Sequence, residues 1–270
     1  MIRTETSWLA STRLAVPLAA FLAGFAVSAE IEPGPDRARG EGPFDQLILR
    51  GGILVDGTGA PPIGPVDIVI EGDRIADIVR LGAPGIEIED DKRPELAGGG
   101  REIDVSGKFV LPGFIDMHGH IGGQEQGTPA EYVYKLWLGH GITTIRDPGS
   151  GNGMEWTLNE RRRAARGEIA APRILAYVTF GQGRDEPIAN AEQARRWVRD
   201  VAERGADGIK FFGARPEVLF AALDEAKERG LRTAMHHAQM DVARADALDT
   251  ARAGLTTMEH WYGLPEALFD

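Results

Sequence analysis

The residues in this chain best suited to chemistry are its histidines, of which there are six in 270 residues. Two of them, His118 and His120, follow an apolar run that starts at Val110 and are separated by one glycine. Alternate side chains of a β-strand lie on the same face, so this spacing predicts that both imidazoles point in one direction. Neutral imidazoles bind divalent metals such as Zn²⁺. The motif therefore predicts a metal site, although isolated His-x-His pairs also occur as ordinary surface or core histidines.

Five of the six histidines fall at the C-terminal ends of strand-like segments. After Pro112 these segments alternate with helix-like ones, a rhythm that predicts a parallel sheet of βα units. In (β/α) barrels the active site forms at the C-terminal ends of the strands, and Lys210 is expected at the same level. The predicted strands are 113–118, 142–146, 173–178, 208–212, 232–236 and 256–260, and the predicted helices are 129–138, 153–166, 191–204, 216–229 and 241–253.

These units indicate an α/β fold, a TIM-type (β/α) barrel that is incomplete within residues 112–270. A closed barrel needs eight units, and the pattern supplies about six. We therefore expect the chain to be a fragment, ending in the first turn of a sixth helix. Residues 44–111 contain short strands and turns at close spacing, which predicts a small antiparallel unit. Residues 30–43 are rich in proline, glycine and charge, which predicts a linker.

The first 29 residues have the composition of a secretory signal peptide. Arg3 and Arg13 are their only basic residues, the 14 residues from Leu14 to Val27 are uncharged, and small side chains occupy the junction ending at Ala29. As a helix this run would span about 21 Å, less than the roughly 30 Å hydrocarbon core. We expect an exported protein, periplasmic or secreted, with no stable membrane anchor after cleavage of the signal.

Composition excludes several classes of function. The formal net charge is −11, and no basic cluster is longer than the three arginines 161–163, which argues against a nucleic-acid partner. The chain has no cysteine, so disulfides, thiolate metal sites and a cysteine nucleophile are excluded. A hydrophobic content of 43% with 26% charged residues predicts a globular chain.

From about Phe44 to Asp270 the sequence resembles the amidohydrolase superfamily, in particular the cluster of imidazolonepropionases and metal-dependent Xaa-Pro dipeptidases. The resemblance rests on the Gly-Thr-Gly turn at 57–59, the segment Leu-Pro-Gly-Phe-Ile-Asp-Met-His-Gly-His at 111–120, and Met-Glu-His at 258–260. It implies that residues 44–111 form strands of a small N-terminal β-sandwich. Further, it implies that His118 and His120 bind a first metal, that Lys210 is a carbamylated bridge, and that His236 and His260 bind a second metal.

The family also places an aspartate at the end of the eighth strand, where it completes the metal site and transfers protons. That position would lie beyond Asp270, so no catalytic residue is identified within the sequence. One or two zinc ions are the expected cofactor, together with a CO₂-derived carbamate on Lys210. Manganese or iron, and an unmodified lysine beside a mononuclear site, remain alternatives.

Other residues are weaker candidates. Strand alternation favours His236 over His237 as a ligand, which leaves His237 either to contact substrate or to donate a hydrogen bond to a metal ligand. Arg146 and the adjacent Asp147 are predicted either to orient substrate or metal ligands or to form a structural ion pair. Trp261 is predicted to form a wall of the pocket. His140 precedes a glycine at a predicted helix end, so we expect a helix cap.

The predicted function is metal-dependent hydrolysis of amide or cyclic-amide C–N bonds by metal-activated water, with a small amide or dipeptide as substrate. The alternative is a non-catalytic metal-binding fragment or pseudoenzyme that lacks the last barrel strands and the aspartate. A homo-oligomer is compatible with either interpretation.

Overall fold

The computed structural model describes residues 31–37, 42–83, 85–122, 127–238 and 242–269. The predicted signal peptide, residues 1–29, lies outside the described residues. Within the described ranges, none of the helices combines the length and the apolar character needed to cross a membrane.

The N-terminal part of the chain forms one mixed sheet. Its strands are β1 (Gln46–Leu54), β2 (Ile63–Glu71), β3 (Arg74–Arg80), β4 (Arg101–Asp104) and β5 (Phe109–Val110). β1, β2 and β3 pair antiparallel, but β4 and β5 both pair parallel to β1. The prediction of an antiparallel unit is therefore wrong for the last two strands, because a strand's partner is not encoded in its own residue pattern. A sandwich containing this sheet stays a prediction.

The second sheet is entirely parallel. It contains β6 (Phe114–Asp116), β7 (Ile142–Gly149), β8 (Arg173–Thr179), β9 (Gly208–Phe211), β10 (Arg232–His236) and β11 (Thr257–Glu259), hydrogen-bonded in chain order. Between them run α1 (Ala130–Gly139), α2 (Met154–Ala165), α3 (Ala191–Glu203), α4 (Pro216–Glu228) and α5 (Ala247–Arg252). The alternating α/β architecture predicted from the sequence is confirmed, and six curled parallel strands are consistent with an incomplete barrel.

The two faces of strand β9 differ: one face packs in the hydrophobic core and the other carries Lys210. Ile209 and Phe211 are fully buried against helices α3 and α4, in a core that includes Val198 and Leu219. Lys210 lies between them in sequence, and strand alternation places its side chain on the opposite face, inside the curl of the sheet. The hydrophobic effect thus orients the lysine, because the other orientation would bury charge among the helices.

Two elements differ from their predicted bounds. α5 begins at Ala247 rather than at 241, because Asp246 caps it: its carboxylate accepts the Leu248 and Asp249 backbone N–H groups in a capping box. The last described residues form a short 3₁₀ turn, Glu266–Leu268, rather than an α-helical turn.

Part of the predicted linker packs against the barrel helices. The Gly34 N–H donates to Glu160 Oε2 at 2.9 Å, and Arg163 Nη2 donates to the Gly34 carbonyl at 2.6 Å. Glu160 is fully buried and also accepts the Tyr134 hydroxyl at 2.9 Å. These contacts attach Gly34 to α1 and α2, and a linker over residues 30–43 stays a prediction.

Candidate metal centre

Four histidine side chains from three strand ends meet above the parallel sheet; we call His118, His120, His236 and His260 the histidine cluster. The ring of His118 lies 5.1 Å from that of His120 and 5.1 Å from that of His260, between centroids. The rings of His236 and His260 are 4.7 Å apart. The two edge strands of the parallel sheet, β6 and β11, are thus followed by histidines whose rings are neighbours, His118 and His260.

The first two histidines lie in a turn after β6, not in the strand. β6 ends at Asp116, whose Oδ1 accepts the His118 N–H at 2.9 Å. A Cβ on Gly119 would lie only 2.8 Å from Trp137 Cζ2, so glycine permits the close packing of this turn. The two imidazoles are adjacent, as predicted, but not because they alternate along a strand. The turn after β6 brings them together.

His260 follows β11 in an unusual backbone conformation. Its φ angle is 64°, in the left-handed region that residues other than glycine rarely occupy. Such strain persists only where surrounding contacts fix it, and it is concentrated at functional sites. Here the backbone turn brings the His260 ring against those of His118 and His236.

Lys210 is buried beneath the cluster, with 1% of its surface exposed. No described residue forms a hydrogen bond or an ion pair with its amine, and Nζ lies 5.3 Å from the centroid of the Phe212 ring. Burial, with a further contribution from the Arg146 charge, lowers the pKa of Lys210 to about 8 against the opposing effect of Glu259. The neutral amine is therefore far more accessible than in an ordinary lysine.

The same physical effects keep two of the imidazoles neutral. Burial is the main cause that lowers the pKa of His118, and the nearby Lys210 charge adds to it against Glu259. Burial also lowers the pKa of His236, with contributions from His260 and Lys210. A neutral ring nitrogen is the form that binds metals.

Buried carboxylates contact the Nδ1 atoms of the first two histidines. Glu259 Oε2 lies 2.6 Å from His118 Nδ1, and Asp147 Oδ1 lies 3.5 Å from His120 Nδ1. Metal-binding histidines characteristically donate one ring N–H to a carboxylate, which leaves the other nitrogen free as the ligand. These contacts fit a site in which Nε2 of each ring binds metal.

Arg146 is buried inside the curl of the sheet. Its Nη2 donates to Glu259 Oε1, its Nη1 to Thr257 Oγ1 at 2.8 Å, and its Nε to the Met117 carbonyl at 2.6 Å. Burial would raise the pKa of Glu259, but the Arg146 charge and the His118 hydrogen bond outweigh burial and lower it. The contacts favour the structural ion pair over the substrate contact that the sequence left open for Arg146.

His236 and His237 separate as strand alternation predicts. His237 is fully buried on the other side of β10, where its Nε2 lies 2.8 Å from Thr250 Oγ1 of α5. A contact of His237 with substrate stays a prediction. His140 caps α1, as predicted, with Nδ1 donating to the Leu136 carbonyl at 2.7 Å.

Aromatic rings border the histidine cluster. The Phe212 ring lies 5.8 Å and the Tyr262 ring 5.3 Å from the His236 ring. Trp261, which the sequence proposed as a pocket wall, is 62% exposed and contacts Tyr262 at 5.1 Å between ring centroids. Sequence reasoning missed Phe212 and Tyr262, although each stands two residues beyond a predicted ligand.

The donor set fits a divalent metal in its chemistry. It contains two imidazoles of lowered pKa, those of His118 and His236, a buried amine of lowered pKa, and carboxylates that contact two of the rings. Within the described ranges, however, no group of three or more His, Cys, Asp or Glu side chains is already arranged to hold a metal ion. The rings contact one another edge-on or tilted, so binding requires side-chain rotation. His118 and His120 retain 32% and 37% side-chain exposure.

Comparison with known proteins identifies the family. The amidohydrolase family matches residues 109–269, which is more than half of the chain, and the protein belongs to this family. The resemblance seen in the sequence is thereby confirmed. The matched range includes every member of the histidine cluster and Lys210.

Individual relatives match over shorter stretches. The chain is 43% identical over 90 residues to adenine deaminase of Brucella abortus, which covers 31% of this chain and 15% of that enzyme. It is 35% identical over 132 residues to adenine deaminase 2 of Rhizobium etli, covering 46% of this chain and 20% of that one. The chain therefore spans only a small part of the length of these curated relatives.

Solved structures share the fold. A Xaa-Pro dipeptidase with methionine bound in its active site superimposes with a TM-score of 0.60 at 24% identity, covering 82% of this chain and 63% of that one. Phenylurea hydrolase B superimposes with a TM-score of 0.61 at 21% identity, covering 80% and 59%. At these identities the likeness establishes the barrel-type fold.

Proposed function

We propose that this chain carries the metal-binding face of a hydrolase that cleaves C–N bonds of amides or cyclic amides. The observation that supports it best is the convergence of the four-membered histidine cluster and Lys210 at the ends of β6, β9, β10 and β11. The relatives agree with this chemistry, because an adenine deaminase, a Xaa-Pro dipeptidase and a phenylurea hydrolase all act on bonds between carbon and nitrogen.

In this proposal His118 and His120 hold one metal, and His236 and His260 hold a second. One or two zinc ions, when bound, lower the pKa of water to about 7 and polarise a carbonyl group. Glu259 and Asp147 keep the imidazoles in the tautomer that presents Nε2. The exposed rings of Trp261 and Phe212 are the side chains expected to contact a small substrate at the cluster.

Lys210 has the properties that a bridging carbamate requires. A neutral amine attacks CO₂, and the nitrogen forms a bond to carbon while one proton leaves to solvent. The product is an anion with two donor oxygens, whereas an ammonium group would repel metal ions. The lowered pKa and the lack of an ion-pair partner among the described residues both favour this modification.

Metal content tests the proposal. Purified wild-type protein should contain one to two divalent transition metals per chain by elemental analysis. The double variant His118→Ala with His120→Ala should lose most of this metal, while His140→Ala should keep it, since His140 is a helix cap. Equal losses in both variants, or a metal-free wild type, would contradict the ligand assignment. Turnover on dipeptides, cyclic amides and adenine then identifies the substrate class.

We also propose that the protein is exported. The basis is the signal-like composition of residues 1–29. Intact-mass analysis of protein secreted from a bacterial host should give Glu30 as the first residue, and a cytoplasmic product that retains Met1 would contradict it.

A further inference from the structure

Arg146 and Glu259 join strands that are far apart in the sheet. Arg146 belongs to β7 and Glu259 to β11, and the order of the sheet places β8, β9 and β10 between them. Four strand spacings correspond to about 19 Å in a flat sheet, beyond the combined reach of the two side chains. Their hydrogen bond therefore crosses the interior of a strongly curled sheet.

The contacts of Arg146 extend this connection to a third strand end. Its Nε donates to the carbonyl of Met117, the residue just before His118, at 2.6 Å, while its Nη1 reaches Thr257 of β11. One guanidinium thus fixes the turn that carries His118 and His120 relative to the strand that carries His260. We call these contacts, together with the Glu259 contact to His118, the Arg146–Glu259 bridge.

The two carboxylate oxygens of Glu259 contact different groups. Oε1 accepts from Arg146 and from Thr257 Oγ1, the latter at 3.0 Å, and Oε2 lies 2.6 Å from His118 Nδ1. The carboxylate is 5% exposed, so water does not replace these partners. Because an ionised carboxylate only accepts hydrogen bonds, it holds the proton on Nδ1 and leaves Nε2 of His118 unprotonated.

We propose that Glu259 is a positioning residue for the metal centre, held in place by Arg146. It fixes the tautomer and ring orientation of His118 and brings the His118 and His260 rings to their 5.1 Å separation. This inference rests on the proposed function, because it assigns Glu259 a role toward a metal that His118 binds.

The test compares two buried carboxylates. Glu259→Gln keeps the shape of the side chain but removes the charge that Arg146 and His118 contact. Glu225→Gln is the matched control: Glu225 on α4 is 3% exposed and pairs with Arg199 at 3.1 Å and Arg229 at 2.9 Å, in helix contacts without a cluster histidine. Zinc affinity is measured by competition with a chromophoric chelator, coordination by the visible spectrum of the Co²⁺ form, and stability by urea unfolding.

We expect Glu259→Gln to bind zinc 10- to 100-fold more weakly, as is typical when the partner of a ligating histidine is removed, and to show an altered Co²⁺ spectrum. Glu225→Gln should lose stability but keep the affinity and the spectrum of wild type. Should Glu259→Gln not fold, Glu259→Asp retains the charge while withdrawing it by one methylene from Nδ1, and a weakened affinity is again expected.

The outcomes separate the two proposals. A wild-type chain that binds no metal overturns the proposed function and the positioning role together. Tight binding by wild type with unchanged affinity and spectrum in the folded Glu259 variant overturns the positioning role alone. An equal loss of affinity in Glu225→Gln does the same, because it would make the effect a general result of lost stability.

Discussion

Each of the two sheets of this protein buries a carboxylate that pairs with arginine, but the remaining partners of the two carboxylates differ. In the N-terminal sheet Asp67 bonds Arg50 at 2.7 Å, Arg93 at 2.9 Å and the Gly51 N–H at 2.8 Å. Both of its oxygens are occupied by groups that cannot act as metal ligands. In the parallel sheet, Glu259 gives one oxygen to Arg146 and the other to an imidazole.

The sequence separation between the contacting residues also differs between the two sheets. The partners of Asp67 lie within 26 positions of it in sequence, whereas His118 and Glu259 are 141 positions apart. The carboxylate of Asp67, whose hydrogen bonds come from arginines and backbone, joins β2 to the neighbouring strand β1 and to Arg93. A long-range pair that includes a titratable ring positions a site. A buried carboxylate alone is therefore no sign of a functional site. Whether its second oxygen contacts an arginine, as in Asp67, or an imidazole, as in Glu259, distinguishes the two cases.

The strongest test of this comparison is Asp67→Ala. Removing one partner of a buried ion pair costs about 3 kcal/mol, at the lower end of the usual range here because Arg50 and Arg93 keep 16% and 27% side-chain exposure. Urea unfolding should show this loss, while zinc bound per folded chain stays at the wild-type level. A loss of metal from the folded variant would show that the two networks are coupled.

Gly119→Ala should have the next largest effect. A methyl group 2.8 Å from Trp137 Cζ2 and 3.3 Å from the Asp116 carboxylate forces the turn to shift, at a cost of about 2 kcal/mol in unfolding free energy. Because the turn carries His118 and His120, zinc affinity should fall in parallel. Gly98→Ala provides a comparison, since that Cβ would meet no atom within 4 Å and the backbone of Gly98 is not in the left-handed region. Unchanged zinc affinity in Gly119→Ala would break the link between this turn and the site.

Lys210→Met should separate stability from metal binding. Replacing a buried amine without a hydrogen-bond partner among the described residues by an apolar side chain of similar length should leave the unfolding free energy unchanged or raise it by up to about 1 kcal/mol. The metal content should nevertheless fall. A variant that is markedly less stable in its metal-free form would indicate that Lys210 has a structural role like that of Arg50.

His140→Ala should have the smallest effect. The exposed ring caps the C-terminus of α1, and loss of a cap of this kind costs about 0.5 kcal/mol. Thermal unfolding would detect the shift, and elemental analysis should find unchanged metal. Metal loss here would mean that helix α1, and not the strand ends alone, determines the site.

Sequence patterns located the parallel sheet because each strand and helix carries its own signal. β10 has the bounds that were predicted, and Lys210, His236 and His260 were assigned to the correct strand ends. Glycine and apolar periodicity are local properties, so no knowledge of the curl was needed to predict the order of elements.

The bridge between Arg146 and Glu259 could not be predicted in that way. Its partners are 113 positions apart, and their contact depends on how strongly the sheet curls, which no single segment encodes. The parallel pairing of β4 and β5 with β1 was missed for the same reason. The early start predicted for α5 ignored Asp246, although an aspartate three residues before Asp249 is a recognisable capping signal.

The separation of His118 from Glu259 along the chain also affects how long the protein survives. Closing a loop of 141 residues is entropically costly, so the unfolded chain does not preform this site, and in the proposed zinc site metal would bind chiefly to native molecules. Free zinc at 100 times its dissociation constant would then stabilise the native state by about 2.7 kcal/mol. On this proposal, a chain synthesised where metal is scarce would be unfolded more often and degraded sooner. The half-life of the protein, followed by pulse-chase labelling at different zinc concentrations, would therefore report the zinc supply.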